Sequence, residues 1–324
     1  MDKEQYYQAA EPTLWQGRAE NENKQRVYEN VKCLNAQNIF TTHFSGAVVI
    51  IGFCSDKGVL RNQGRAGAAK GPDVIRQQLA KQAYHPSKTK TEHDIYDFGN
   101  VISTDADLET QQLALGEFIA HIRKNNGRPL VLGGGHETAW GHYQGLVPEH
   151  SQNDFAILNF DAHFDMRPLL EGKLGSSGTP FLQVLQHRQA HKQPFHYYCL
   201  GIKHQSNTPA LFHTAHNAKV QYLTCDDIYA KSDILLPWVD NIINQHSKIY
   251  VTICLDVFSS AVAPGVSASA PYGLMPWHVL PAIKKLAQSQ KIASFDIVEY
   301  APIYDIDQST AKLASTLALE ILQS

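Results

Sequence analysis

No apolar run in this chain approaches the roughly 18 residues that a membrane-spanning helix needs. The opening residues, Met1 to Gln5, contain no apolar core of a secretory signal, so neither a helical membrane protein nor a secreted one is expected. Cysteine is sparse and odd in number. Cys33, Cys54, Cys199, Cys225 and Cys254 are widely spaced and mostly sit inside apolar runs, which speaks against a disulfide framework and for buried thiols in a reducing compartment. There is no excess of charge of one sign either. The formal net charge is −3 and the isoelectric point is near neutral, which removes the electrostatic case for binding nucleic acid or an anionic membrane. No linker rich in Pro, Gly or Ser marks a domain boundary. What remains is a cytoplasmic protein whose partner is a small molecule.

At 324 residues the chain can bury a substantial core, as one large α/β domain or two ordinary ones. Residues 1–45 are polar, with Trp15 and Tyr28 among charges, and read as an N-terminal extension packed on a single main domain at 46–324. From Val48 onward, β-like apolar runs recur at 48–53, 94–98, 129–132, 155–160, 197–202, 220–223, 249–255 and 292–298. Helical spacing separates most of them, at 73–82, 108–124, 179–191, 234–244, 276–288 and 310–322. Strands that alternate with helices and carry few polar residues predict a mostly parallel, about eight-stranded central sheet in a three-layer α/β/α fold. A closed eight-stranded barrel fits the same count.

In either architecture ligands gather at the C-terminal ends of the strands. Polar residues do concentrate where the apolar runs stop. Gly133-Gly134-Gly135-His136-Glu137 follows Leu132, Asp161 to Asp165 follows the run ending at Phe160, Cys254 to Asp256 follows Ile253, and Glu299 follows Val298. Asp161, His163 and Asp165 have the two-residue spacing that sends side chains of an extended chain to one side. Two carboxylates and an imidazole suit Mn²⁺, Fe²⁺ or Zn²⁺ better than a soft metal. The same three residues could instead cap a helix and hydrogen-bond within a loop. His136 strengthens the metal reading, since three glycines before it let backbones approach closely at a strand-to-helix turn. A glycine triplet can also cradle phosphate, but this spacing matches neither the dinucleotide fingerprint nor the P-loop. With Asp256 added, the set could serve two ions bridged by a carboxylate and a hydroxide. Trp140, His142 and Tyr143 fall at helical spacing and read as packing.

The strings GGGHE at 133–137, DAHFD at 161–165, TICLDVFSSAVAPG at 252–265 and SFDIVEYAP at 294–302 resemble the four ordered signatures of the arginase, or ureohydrolase, superfamily. The resemblance runs from about Gly52 to the C-terminus. Within the superfamily, the segments at 52–76, 176–181 and 201–212 are similar to the formimidoylglutamase branch, and the loop at 175–178 has no histidine where arginases place one. The resemblance implies an arginase-like fold and hydrolysis of N-formimidoyl-L-glutamate to L-glutamate and formamide, a step of histidine degradation, on two Mn²⁺ ions. It implies that His136 and Asp165 bind one manganese, His163 and Asp256 the other, and that Asp161 bridges them. Glu299 would hold the cationic formimidoyl group, and Asp165 would carry the proton to the departing nitrogen. Family analogy also implies a homo-oligomer.

One position departs from the family pattern. Cys254 stands where the second signature has a metal-bridging aspartate, and a thiolate is a softer ligand offering one atom where a carboxylate offers two. The expectations are a thiolate-bridged centre, a centre with one tight metal site, or a family member that has lost activity; a buried cysteine that binds nothing is the plain alternative. A substrate with two carboxylates calls for planar cationic forks, for which Arg61, Arg65 and Arg167 are the candidates, with Ser206 and Asn207 adding hydrogen bonds. Another ureohydrolase, such as an agmatinase or guanidino-acid hydrolase, is the nearest rival activity.

Overall fold

Burial of both faces builds the apolar runs into one sheet. The computed structural model describes residues 3–20, 24–85, 95–102, 107–146, 153–231 and 233–323. Its strands are β1 (Tyr7–Gln8), β2 (Val31–Cys33), β3 (Val48–Cys54), β4 (Ile95–Ile102), β5 (Arg128–Leu132), β6 (Ala156–Phe160), β7 (His196–Ile202), β8 (Gln221–Thr224), β9 (Ile249–Cys254) and β10 (Ile292–Val298). The helices are α1 (Lys57–Arg61), α2 (Gly71–Ala80), α3 (Leu108–Lys124), α4 (Thr138–Gly145), α5 (Pro180–Ala190), α6 (Pro209–Asn217), α7 (Cys225–Ala230), α8 (Leu235–Gln245), α9 (Pro276–Gln288) and α10 (Ser309–Leu322). The sheet order is β1-β4-β3-β5-β10-β9-β6-β7-β8, with β2 also on β4, and every pairing is parallel except β1 with β4. The sheet is open, so the barrel is excluded.

Strand residues divide by parity between two cores. Ile50, Leu132, Leu158, Val251 and Ile253 pack with Ile75, Leu79, Ile283 and Leu317 from α2, α9 and α10. Ile51, Phe53, Val131, Ile157 and Tyr250 pack with Leu115, Phe118, Tyr143, Phe181 and Val184 from α3, α4 and α5. These are the three layers. The eight strands expected from the runs are all present. The stretch 1–45 contributes the two further strands, and it buries Trp15. Gly99, at φ +99°, makes the edge possible, because a Cβ there would meet Gln8 O at 2.2 Å. The helix expected at 73–82 begins earlier, at Gly71, with Pro72 in its first turn, where a missing N–H costs nothing. Short α4, α6 and α7 carry too few residues for a periodicity to register.

Candidate metal centre

β5, β10, β9 and β6 are consecutive neighbours in the sheet. Their C-terminal ends deliver His136, Glu299, Cys254 with Asp256, and Asp161 to Asp165 to one place, beside the crevice where strand order reverses. The glycine triplet seats the chain between strands. Gly133 N donates to Ile297 O at 2.8 Å and Gly135 N to Ser55 O at 3.0 Å. A Cβ on Gly134 would lie 1.7 Å from Ser55 O. Two of the triplet's three N–H donors are thus committed to neighbouring segments, which leaves no phosphate cradle. Asp165 and Glu299 adopt left-handed backbone, at φ +48° and +70°. Such strain costs of order 1–3 kcal/mol each and persists where surrounding structure enforces it, commonly at functional sites.

The side chains form two clusters that share one residue. Ligand atoms of His136, Asp161 and Cys254 lie within 4.8 Å of one another, and so do those of Asp161, His163 and Asp256. His136 Nδ1 is 2.9 Å from Asp161 Oδ2 and 2.8 Å from Asp165 Oδ2. His163 Nδ1 is 3.4 Å from Asp161 Oδ1 and 3.1 Å from Asp256 Oδ2. Among the described residues, His136 Nδ1 and Asp256 Oδ1 are buried and have no partner in hydrogen-bond alignment, although oxygens lie close to Nδ1. Lone pairs that converge without aligning are what a shared cation requires. Supporting groups fix the ligands: Asn159 Nδ2 donates to Asp161 Oδ2 at 3.1 Å, His163 N to Asp161 Oδ1 at 2.8 Å, and Lys203 Nζ to Asp256 O at 3.0 Å.

The electrostatics follow from burial and crowding. Burial opposes charge on His136, but Asp161 and Asp165 outweigh it and hold its pKa well above the ordinary value. His163 is raised in the same way, by Asp256 and Asp161 against burial. Burial also works against Asp161, yet the two imidazoles lower its pKa. Asp165 is pushed up to about 6 by burial and then by Asp161. Burial, then the neighbouring Glu137 and Asp256 carboxylates, raise Glu299 well above the carboxylate range. Burial, then Asp161, Asp256, Glu299 and Asp165, raise the Cys254 thiol. So many anionic ligands compressed together invite a cation, whose charge reverses these shifts.

A cavity of about 330 Å³ opens onto the centre, with His136, His163, Asp165, Cys254, Asp256 and Glu299 on its floor. Arg65 and Arg167 line its mouth. Arg65 is steadied by Ser267 O at 2.9 Å, Val266 O at 2.7 Å and the Tyr304 ring, whose centroid is 4.0 Å away. Arg61, expected beside them, is instead held by the Glu109 carboxylate and donates to Gly175 O at 2.9 Å, and it does not line the cavity. Asn207, also expected to meet substrate, is buried and spent on backbone. It accepts from Phe164 N at 3.0 Å and donates to Ala162 O and Lys203 O at 2.8 and 2.9 Å, clamping the DAHFD loop to the end of β7. Ser206 lies outside the lining as well. Trp140 and Tyr143 stack with centroids 5.8 Å apart, in keeping with packing. Asn62 and Ser177, joined at 3.2 Å, line the cavity although neither was singled out in the sequence. Asn159 was findable, lying two residues before Asp161 on one face of β6; Lys203 carries no such signal, since it reaches Asp256 from another strand end.

The Arginase family model matches residues 46–323. A formimidoylglutamase of Legionella pneumophila (strain Lens) is 41% identical over 98% of both chains. Among solved structures, the formimidoylglutamase of Bacillus subtilis superposes with a TM-score of 0.81 at 23% identity, covering 94% of this chain and 93% of that one. A Trypanosoma cruzi formiminoglutamase structure containing Mn²⁺ gives a TM-score of 0.75 at 22% identity, covering 88% and 96%. The three-layer fold and these similarities agree: the chain belongs to the arginase family, and within it resembles the formimidoylglutamases.

Proposed function

We propose that this chain hydrolyses N-formimidoyl-L-glutamate to L-glutamate and formamide, in histidine degradation, with two manganese ions as cofactor. The observation that carries the reading is the sharing of Asp161 between two ligand clusters. His136, Asp165 and Cys254 would hold one ion, His163 and Asp256 the other, and Asp161 both. Cys254 groups with His136 and not with His163 and Asp256, so its thiolate serves the first ion. When bound, the ions act as Lewis acids that make water nucleophilic near neutral pH.

The chain's own residues do the rest. Glu299 accepts from His136 N at 2.7 Å and presents its carboxylate to the cavity, where the cationic formimidoyl group would offset its crowding. Asp165 lines the cavity beside the ligand clusters and is placed to take a proton and return it from a carboxylate oxygen to the departing glutamate nitrogen. Arg65 and Arg167 face the substrate carboxylates; a cationic tail, as in agmatine, would meet repulsion there. Among the described residues no helix is long and apolar enough to cross a membrane, and the five cysteines are free thiols, which suits a cytoplasmic setting.

Product analysis tests the activity. Manganese-loaded protein is expected to release glutamate from formimidoylglutamate and no urea from arginine, agmatine or guanidinobutyrate; urea alone would refute the proposal. Arg167→Ala is expected to raise KM about 10–100-fold, the worth of one charged hydrogen bond of about 1.5–3 kcal/mol, with a smaller change in kcat. Manganese binding is also expected to displace protons, because His136 and His163 are held protonated by their carboxylate partners and must lose that proton to ligate through Nδ1. Affinity therefore rises with pH. Calorimetry in buffers of different ionisation enthalpy reads the release directly, and a heat independent of buffer would contradict it.

A further inference from the structure

Glu137 closes the GGGHE string, and the mechanism above gives it no part. Its side chain is fully buried and does not line the cavity. A carboxylate taken out of water is costly unless its oxygens are bonded, and a residue that only filled space here would be apolar. Standing at the N-cap position of α4, Glu137 would ordinarily be spent on the first N–H groups of that helix, yet it makes no capping bond there. Oε1 instead crosses to another segment and accepts from Gly58 N at 2.8 Å. Oε2 is buried with no partner among the described residues. So close an approach needs glycine on the other side, since a Cβ at Gly58 would lie 2.5 Å from Glu137 Cδ.

Gly58 belongs to the first turn of α1, whose leading N–H groups have no partner within the helix. Asp56, the residue in line to cap α1, makes no capping bond; its carboxylate accepts from Gly67 N at 2.7 Å and closes the loop that follows. Glu137 therefore supplies, from a distant part of the chain, the acceptor that α1 lacks locally. The carbonyl of the same glycine is also committed, accepting from Asn62 N and from Ser177 N, both at 3.0 Å. Asn62 Nδ2 then donates to Ser177 Oγ at 3.2 Å, and Gly178 O accepts from Arg167 N at 2.8 Å. Asn62, Ser177 and Arg167 all line the cavity. One buried carboxylate, on the residue next to His136, thus holds the segment on which that wall is assembled.

We propose that Glu137 is a positioning residue for substrate: through Gly58 it sets the place of Asn62 and Ser177 in the cavity wall and ties that wall to the strand end carrying His136. This rests on the formimidoylglutamate reading above. The test measures kcat and KM for formimidoylglutamate on full-length manganese-loaded protein, and Mn²⁺ affinity by titration followed by electron paramagnetic resonance, in wild type, Glu137→Ala, Glu137→Gln and Gly58→Ala. Glu137→Ala is expected to raise KM about 10–100-fold, as for loss of a hydrogen bond to a charged group, with kcat changed less than about threefold and manganese affinity as in wild type. Glu137→Gln removes the charge but keeps an acceptor for Gly58 N, so it recovers most of the loss. Gly58→Ala, whose Cβ would push α1 off the carboxylate, raises KM as Glu137→Ala does. Wild-type KM in Glu137→Ala, a loss carried by kcat or by manganese affinity, or a Glu137→Gln as impaired as Glu137→Ala overturns the proposal. Should Glu137→Ala fail to fold by circular dichroism, Gly58→Ala decides, and wild-type KM there overturns it. A wild type that does not turn over formimidoylglutamate refutes the functional reading and this proposal with it; wild-type turnover with an indifferent Glu137→Ala refutes the proposal alone.

Discussion

Replacing Asp161 with alanine is expected to reduce turnover of formimidoylglutamate by at least about 10³-fold and to weaken both manganese ions together. Among the described residues no other member belongs to both clusters: Asp161 lies 2.9 Å from His136 on one side and 3.4 Å from His163 on the other. Its loss also removes a carboxylate that orients both His136 and His163. His163→Ala, by contrast, removes a ligand from one cluster only and should spare the other ion. Manganese stoichiometry and kcat/KM, measured on both variants, check the pair. Two tightly held ions in Asp161→Ala would remove the shared-ligand claim.

The largest stability effect is expected at the opposite edge of the sheet. Arg76 of α2 makes a forked pair with Asp97 of β4, at 2.9 Å for both contacts, and adds Asn100 Oδ1 at 2.8 Å and Gly99 O at 2.9 Å. Trp15 Nε1 donates to the same carboxylate at 2.7 Å, tying the N-terminal stretch to the body. Both charges are essentially out of water. Removing one partner leaves the other buried and uncompensated, which typically costs about 3–5 kcal/mol. Asp97→Ala is therefore expected to lower the urea-unfolding free energy by that amount, while the folded fraction keeps its manganese affinity, since β3, β5 and β10 separate β4 from β9. A loss under about 1 kcal/mol would mean that the pair is solvated or replaced.

These two cases show what a linear sequence reveals and conceals. The polar strand ends that converge were legible because a parallel strand buried on both faces must read as an unbroken apolar run, so His136, Asp161 and Glu299 stand out where such runs stop. The sharing of Asp161 was expected only from the family resemblance, because adjacency of β6 to β9 and of β5 to β10 is a property of topology. Arg61 and Asn207 were misplaced for the same reason. A residue type matches a substrate's chemistry equally well when Glu109 or a backbone carbonyl has already taken it. The Arg76–Asp97 pair left no mark, as its members sit in a helix and a weakly apolar strand with nothing between them to signal contact. Cys254 was legible as a departure from the family pattern, and its grouping with His136 and Asp161 is visible only in the geometry.

Anomalous diffraction at the manganese edge, from crystals grown with Mn²⁺, tests the two-ion centre most directly. The expected result is two peaks flanking the Asp161 carboxylate, with the Cys254 sulfur within bonding distance of the ion on the His136 side. A single peak, or two peaks with the Cys254 sulfur bound to neither, would contradict the assignment.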